Sequence, residues 1–296
     1  MNHAQLRAFH AVASEGGFTR AAQQLHVTQP TLSGQVKALE ARYGVRLFDR
    51  RGRRVAPTEL GRELLDLTRR LFSLEGEAEQ LLSAAKGLTR GSLRVGADAP
   101  YHVTTALAAF TGRYPGIRVS LTVGNSVELA HALLDHHLDV AVLADPAGDP
   151  RYFARPLRRD RMVAFVPKIH PLARRRRLDL ADIAGLRLVL REQGSTTRRV
   201  FETAVARRGL ALAEVLDMNS REAVREAVAA GLGIGVVSQS EFGSDPRLTA
   251  IELLGEDLVM TEYAVCLAER KDLRLVKTFF DLLEPQVTAT TQRAKR

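Results

Sequence analysis

Residues 18–50 read FTRAAQQLHVTQPTLSGQVKALEARYGVRLFDR, and this stretch decides the N-terminal fold. Thr19 can cap a helix whose apolar face is Phe18, Ala21, Ala22 and Leu25. A tight break at His26–Val27 follows. Thr28 can then cap a second helix, with Pro30 tolerated in its first turn. Leu32, Val36 and Leu39 of that helix turn inward, which leaves Gln29, Thr31, Ser33, Gly34, Gln35 and Lys37 outside. Hydrogen-bonding groups in the N-terminal half of a second helix are what a helix-turn-helix presents to base edges. Gln can pair bidentately with adenine, and Ser and Thr read either strand.

Working outward, Leu6, Phe9 and Ala13 predict a helix before this pair. After it, LFDRRGRRVAPT (residues 47–58) places Arg51-Gly52 between two extendable arms and predicts a hairpin. Arg50, Arg51, Arg53 and Arg54 on that hairpin make a basic wing suited to phosphates or the minor groove. Net charge is +9, with 43 Lys+Arg against 34 Asp+Glu. Residues 1–57 hold nine basic and three acidic side chains, so most of the excess sits in the first fifth of the chain. That asymmetry points to a polyanion, nucleic acid first. A solvated helical hairpin with a charged loop is the plainer reading. The small-residue pair, turn, polar helix and basic hairpin occurring in order favour duplex DNA.

The next segment repeats Leu60, Leu64, Leu67, Leu71, Leu74, Ala78, Leu81, Ala85 and Leu88 at alternating steps of four and three. This heptad seam predicts a long helix that pairs with a second copy in a homodimer. Gly76 inside it invites local bending. From residue 91, apolar runs alternate with amphipathic segments: SLRVGA, VTTALAAFTGRY, VSLTVG, ELAHALLDHH, DVAVLA, and later MVAFVP, LRLVLRE and IGVVS. The expected fold class is therefore all-α followed by α/β, with mainly parallel sheets.

Composition removes several classes. One cysteine, Cys266, excludes a disulfide framework and a cysteine-rich zinc site. No apolar run is long enough to span a bilayer, and the N-terminus does not read as an export signal, so a cytoplasmic location without membrane partners is expected. The chain lacks HExxH, GxSxG and GxxxxGK[ST]. The GLGIG run at Gly231–Gly235 follows a helix and precedes a strand, the wrong order for a dinucleotide cradle. No carboxylate or cysteine cluster joins His136–His137, so no metal and no cofactor are expected, and no catalytic residue is assigned.

Phe18, Ala21, Ala22, Leu25, Gln29, Pro30, Ser33, Leu39, Glu40, Gly44, Leu47, Phe48 and Arg50 together resemble the winged helix-turn-helix of LysR-type transcriptional regulators. The resemblance extends over essentially the whole chain, with Gly231, Gly233, Ile234 and Gly235 resembling part of the second subdomain core. Gly34 departs from it, because the family usually carries a larger, often basic, side chain there. The implied organisation is a DNA-binding domain over 1–57, a linker helix over 58–90 and a bilobed, periplasmic-binding-protein-like effector domain over 91–296. Its subdomain I takes about 91–162 and 266–290, and subdomain II about 163–265. The DNA-binding set is Thr28, Gln29, Pro30, Thr31, Ser33, Gln35, Lys37 and the four wing arginines. A homotetramer is also implied, with RNA polymerase as a further candidate partner.

The same resemblance implies a small-molecule effector between the subdomains. Ser195, Thr196, Thr197 and Arg198 cluster where a strand hands over to a helix, and hydroxyls, free N–H groups and a guanidinium suit an oxyanion. Asp98, Ala99, Tyr101 and His102 follow one strand, and Asn125 and Ser126 follow the next. Asp98 reads equally as a turn residue or as a carboxylate that attracts an amine. The effector segments DAPYHV, VGNSVE, LREQGSTTRR and NSREAVREAVAAGLGIGVVS also resemble a branch associated with 2-aminoethylphosphonate catabolism. Sulfate-type and amino-acid effectors stay open beside that compound.

Overall fold

The computed structural model describes residues 1–49, 55–84, 91–146 and 148–283. The chain divides near residue 86 into two compact units. No helix among the described residues is long and apolar enough to cross a membrane.

The first unit opens with α1 (His3–Glu15), α2 (Phe18–Gln24) and α3 (Gln29–Tyr43). Asn2 and Gln5 close a reciprocal capping box on α1, with bonds of 2.9 and 3.0 Å. Helix α2 begins at Phe18, one residue before the expected Thr19 cap; Gly17 takes the cap position without a side-chain bond. The break between α2 and α3 is sharp because His26 adopts a left-handed φ of 54°. Phe9, Val12, Ala21, Leu32, Val36, Leu39 and Leu47 form the core beneath α3.

Strands β1 (Phe48–Asp49) and β2 (Ala56–Pro57) pair antiparallel, Phe48 opposite Pro57. The hairpin tip, with Arg50, Arg51, Arg53 and Arg54, lies outside the described residues. Helix α4 (Glu59–Ala84) then starts from Thr58, whose Oγ1 accepts from the Gly61 N–H at 3.0 Å. Gly61 is required here: a Cβ would stand 2.2 Å from the Leu47 carbonyl oxygen. The helix runs unbroken through Gly76. Leu65 and Thr68 on one face are buried, and Phe72 packs on the His3 and His10 rings of α1. Leu60, Leu67, Leu71 and Leu74 are 44%, 61%, 42% and 61% exposed within one chain. The side chain of Leu81, with Ala85 and Leu88, lies outside the described residues.

The second unit is built on β3 (Gly91–Ala97), β4 (Ile117–Val123), β5 (Val140–Ala144), β6 (Tyr152–Pro167), β7 (Arg177–Leu178), β8 (Arg187–Arg191), β9 (Glu214–Met218), β10 (Ile234–Ser238), β11 (Leu248–Leu253) and β12 (Val259–Leu267). Its helices are α5 (Thr104–Arg113), α6 (Ser126–Leu134), α7 (Leu180–Ala184), α8 (Thr196–Arg207), α9 (Arg221–Ala229), α10 (Gln239–Phe242) and α11 (Arg274–Leu282). The main strand order is β4-β3-β5-β12-β6-β10-β8-β9. Strands β3, β4 and β5 are parallel, as are β8, β9 and β10.

The sheet as a whole is mixed, which corrects the mainly parallel expectation. The chain crosses between the two parallel groups along β6 and returns along β12, so these strands run antiparallel to each other. The first part of β6 pairs with β12; its last residues, Met162–Pro167, pair with β10 and β11. One half of the unit therefore gathers around β3, β4 and β5, the other around β8, β9 and β10. Asp139 ties the first half together by accepting from Arg94 Nη2 at 2.8 Å and pairing with Arg270 at 2.9 Å.

Candidate functional site: an exposed recognition helix and a cationic cleft

Thr28 caps α3 through a 3.3 Å bond from the Thr31 N–H, and the two hydroxyls pair at 2.8 Å. Gln29, Pro30, Thr31 and Lys37 are exposed, and Ser33 and Gln35 are half-buried. Because Leu32, Val36 and Leu39 anchor the opposite face, α3 presents these polar groups on a rigid support.

In the second unit, the ends of β3, β4 and β8 meet the first turns of α6 and α8, the place where open α/β sheets take ligands. Asp98 is buried at the end of β3. Its Oδ2 accepts from the Ala144 N–H and from Ser126 Oγ, both at 3.0 Å. Burial pushes its carboxyl above the ordinary range, against the opposing charge of Arg221. Asn125 accepts from the Glu128 N–H at 3.0 Å, capping α6, and its side chain also bonds Glu192. Gly194, at φ 94°, lets the loop after β8 approach that amide; a Cβ would lie 3.0 Å from Asn125 Oδ1.

Ser195, Thr196 and Thr197 are all buried at the start of α8. The Ser195 side chain makes no capping bond, while Thr196 Oγ1 donates to the Ala144 carbonyl at 3.3 Å. The first-turn N–H groups of α8 have no intrahelical acceptor. A cavity of about 190 Å³ of empty space, its open mouth included, is lined by Asp98, Asn125, Ser126, Ser195, Thr196 and Thr197 with Met260, Arg191 and Arg221. A second, of about 370 Å³, shares Arg191, Thr197 and Arg221 and continues to Phe165, Val224, Val237 and Phe242.

Four of the expected effector residues line neither cavity. Arg198 turns away: Nε donates to Glu202 at 2.7 Å, and Nη1 to Asp217 at 2.6 Å and to the Arg191 carbonyl at 2.9 Å. Those three bonds commit its guanidinium to holding α8 on β9. Ala99 is fully buried, and the exposed Tyr101 bonds Ser240 Oγ at 3.2 Å. His102 faces Glu262, 3.8 Å away. Burial, with the charges of Arg158 and Arg221, lowers its pKa to about 4 and keeps the imidazole neutral.

Arg191 and Arg221 line both cavities and Arg225 lines the larger one; none of the three was singled out by the sequence. Arg191 pairs with Glu192 at 2.7 and 2.8 Å, and Arg221 with Glu241 at 2.8 and 2.9 Å. Arg191 ends a strand that also carries Arg187, and Arg221 opens a helix that also carries Arg225. Nothing in spacing alone separates these cations from solvated ones.

Residues 3–62 match the family described as bacterial regulatory helix-turn-helix protein, lysR family, and residues 86–288 match LysR substrate binding domain. The chain is 38% identical over 236 residues to a RuBisCO operon transcriptional regulator of Allochromatium vinosum, covering 79% of this chain and 78% of that one. It is 32% identical over 287 residues to the HTH-type transcriptional regulator CbbR of Xanthobacter flavus, covering 95% and 86%. The regulatory domain of Synechocystis PCC6803 CcmR in complex with 2-PG matches with a TM-score of 0.61 at 26% identity, covering 67% of this chain and 98% of that one. These relatives, a RuBisCO operon regulator and a CbbR, replace the expected 2-aminoethylphosphonate branch. They are regulators of transcription, not enzymes. The chain belongs to the LysR family of DNA-binding transcriptional regulators, with a helix-turn-helix domain followed by an effector-binding domain.

Proposed function

We propose that this regulator controls genes of carbon dioxide fixation and responds to a small phosphorylated anion held between the halves of its second unit. The observation that carries the anion is the pair Arg191 and Arg221 on one cleft, with the Ser195–Thr197 hydroxyls and the α8 N-terminus beside them. Guanidinium groups, oriented N–H donors and the positive end of a helix dipole favour a phosphate or carboxylate. RuBisCO regulators among the relatives support the target genes, and the 2-PG complex of the CcmR domain supports the ligand chemistry.

DNA is contacted by Thr28–Thr31, Ser33, Gln35 and Lys37 of α3 with the wing arginines. The Leu60–Leu74 seam of α4 pairs two chains, and contacts between effector domains extend dimers to tetramers in the cytoplasm. RNA polymerase would receive the response. A zwitterionic amino acid is the second reading, favoured by Asp98 Oδ1, which is buried without a hydrogen-bond partner. Calorimetry with 2-PG, sulfate, inorganic phosphate and simple amino acids separates the readings. Binding of 2-PG or another phosphorylated acid supports the proposal; binding of a neutral apolar compound alone overturns it.

A further inference from the structure

Three ligand-bearing side chains from separate parts of the second unit converge beside the anion cleft, with Glu241 also on the wall of its larger cavity. His102 lies on the turn after β3, Glu241 on α10 and Glu262 on β12. One ligand atom from each lies within 4.8 Å of the others. Glu262 is 3% exposed at its side chain, and neither carboxylate oxygen has a hydrogen-bond partner. His102 Nε2, facing it, is also buried and makes no hydrogen bond. Buried polar atoms of native proteins are nearly always satisfied, and an unpaired buried carboxylate is strongly disfavoured. Arg221 does not supply the missing partner: its hydrogen bonds go to both oxygens of Glu241 and to the Asp98 carbonyl. Each Glu241 oxygen keeps a second lone pair for another partner.

We propose that His102, Glu241 and Glu262 form a binding site for a divalent transition-metal cation of the Mn2+ or Zn2+ class. One imidazole nitrogen with two carboxylates is a mixed donor set, which suits these ions better than Ca2+ or Mg2+, whose shells are oxygen alone. His102 Nε2, which makes no hydrogen bond, offers its lone pair to a metal in the tautomer that carries its proton on Nδ1. Bonds of about 2.0–2.2 Å to an ion place its ligand atoms about 3.3 Å apart, so the cluster closes by side-chain rotation from its present spacing. Glu241 belongs to one half of the unit, His102 to the other, and Glu262 to the strand that connects them. The bound ion therefore ties the halves together, whatever the cleft holds.

The test is equilibrium dialysis of the full-length, metal-stripped chain against Mn2+ and, separately, Zn2+, with no phosphorylated ligand present, so the outcome is independent of the effector reading. The expected result is one ion per chain, with affinity at least tenfold weaker in Glu262→Gln and in His102→Gln. Pulsed electron paramagnetic resonance of the Mn2+-loaded wild-type protein needs no variant, and should show nitrogen coupling from one histidine. Uptake of neither ion, equal uptake by wild type and both variants, or a Mn2+ signal without nitrogen coupling would overturn the site.

Discussion

Arg221, the first residue of α9, donates a hydrogen bond to the main-chain carbonyl of Asp98 at the end of β3. The same guanidinium holds both carboxylate oxygens of Glu241, so one side chain links the two halves of the effector domain. A ligand anion reaching Arg221 enters this link directly. Its effect on DNA then depends on a difference in affinity between two arrangements of the halves, since equal affinity shifts nothing.

Arg221→Ala should weaken binding of a phosphorylated anion by about 1.5–3 kcal/mol, the range for a hydrogen bond to a charged group. It should also lower the melting temperature, because Glu241 is left buried without its cation. Arg198→Ala should lower stability while leaving anion affinity nearly unchanged. Calorimetry and thermal melting on the two variants check both halves of this contrast. Normal anion binding by Arg221→Ala would remove that residue from the site.

On the recognition helix, Lys37→Ala should weaken binding to all duplexes and flatten the log–log salt dependence by about 0.9, the loss of one phosphate contact. Ser33→Ala should instead change the preferred sequence with little change in slope. Anisotropy titrations over a range of salt, using two or more duplexes, distinguish these outcomes.

The exposed leucines of α4 separate assembly from folding. Leu67→Glu places a charge in the seam and should abolish the dimer while helicity stays near wild type, because Leu67 is 61% exposed within one chain. Leu65→Glu should instead unfold the first unit, since Leu65 belongs to its core. Sedimentation velocity with circular dichroism reads both effects. A Leu67→Glu chain that still dimerises contradicts the seam.

Asp139 supplies the pH dependence. Burial would raise its pKa, but hydrogen bonds from Arg94 and the charges of Arg94 and Arg270 outweigh burial and hold it below the ordinary value. A depressed acid stabilises the fold fully above its unfolded pKa of about 3.9 and loses that contribution as pH falls through the folded value. Asp139→Asn should therefore be less stable than wild type at pH 7 by about 3–5 kcal/mol, with the gap narrowing below about pH 4. Chemical denaturation of the second unit across that pH range checks it.

Cys266 should be inert in the folded chain. Burial raises its thiol to about 12, and the side chain is buried in β12. Its alkylation by iodoacetamide at pH 8 should follow the rate of unfolding. Rapid stoichiometric labelling of the native protein would contradict this burial.

The recognition helix was readable because its rules are local. Leu32, Val36 and Leu39 recur at helical spacing, and Thr28 with Pro30 marks the start within three residues. The effector cleft is assembled by long-range contacts, and there the local rules stop. Arg198 stands beside three hydroxyls in sequence, yet helical geometry turns it toward Glu202 and Asp217; Arg191, at the end of β8, reaches the cavity instead. The mixed sheet was hidden for a related reason. VMTEYAVCL gives no sign that β12 returns between β5 and β6, because strand order is set by partners distant in sequence.

We expect α3 to bind duplex DNA under the control of a small anion in the Arg191–Arg221 cleft. Fluorescence anisotropy with a duplex that the protein itself selects from a random pool, titrated with and without 2-PG at one salt concentration, tests it most directly. Duplex binding should saturate, with a midpoint that moves on adding 2-PG or another phosphorylated acid and moves much less in Arg221→Ala. Failure to select any duplex, or binding curves that superimpose with every anion tried, would contradict it.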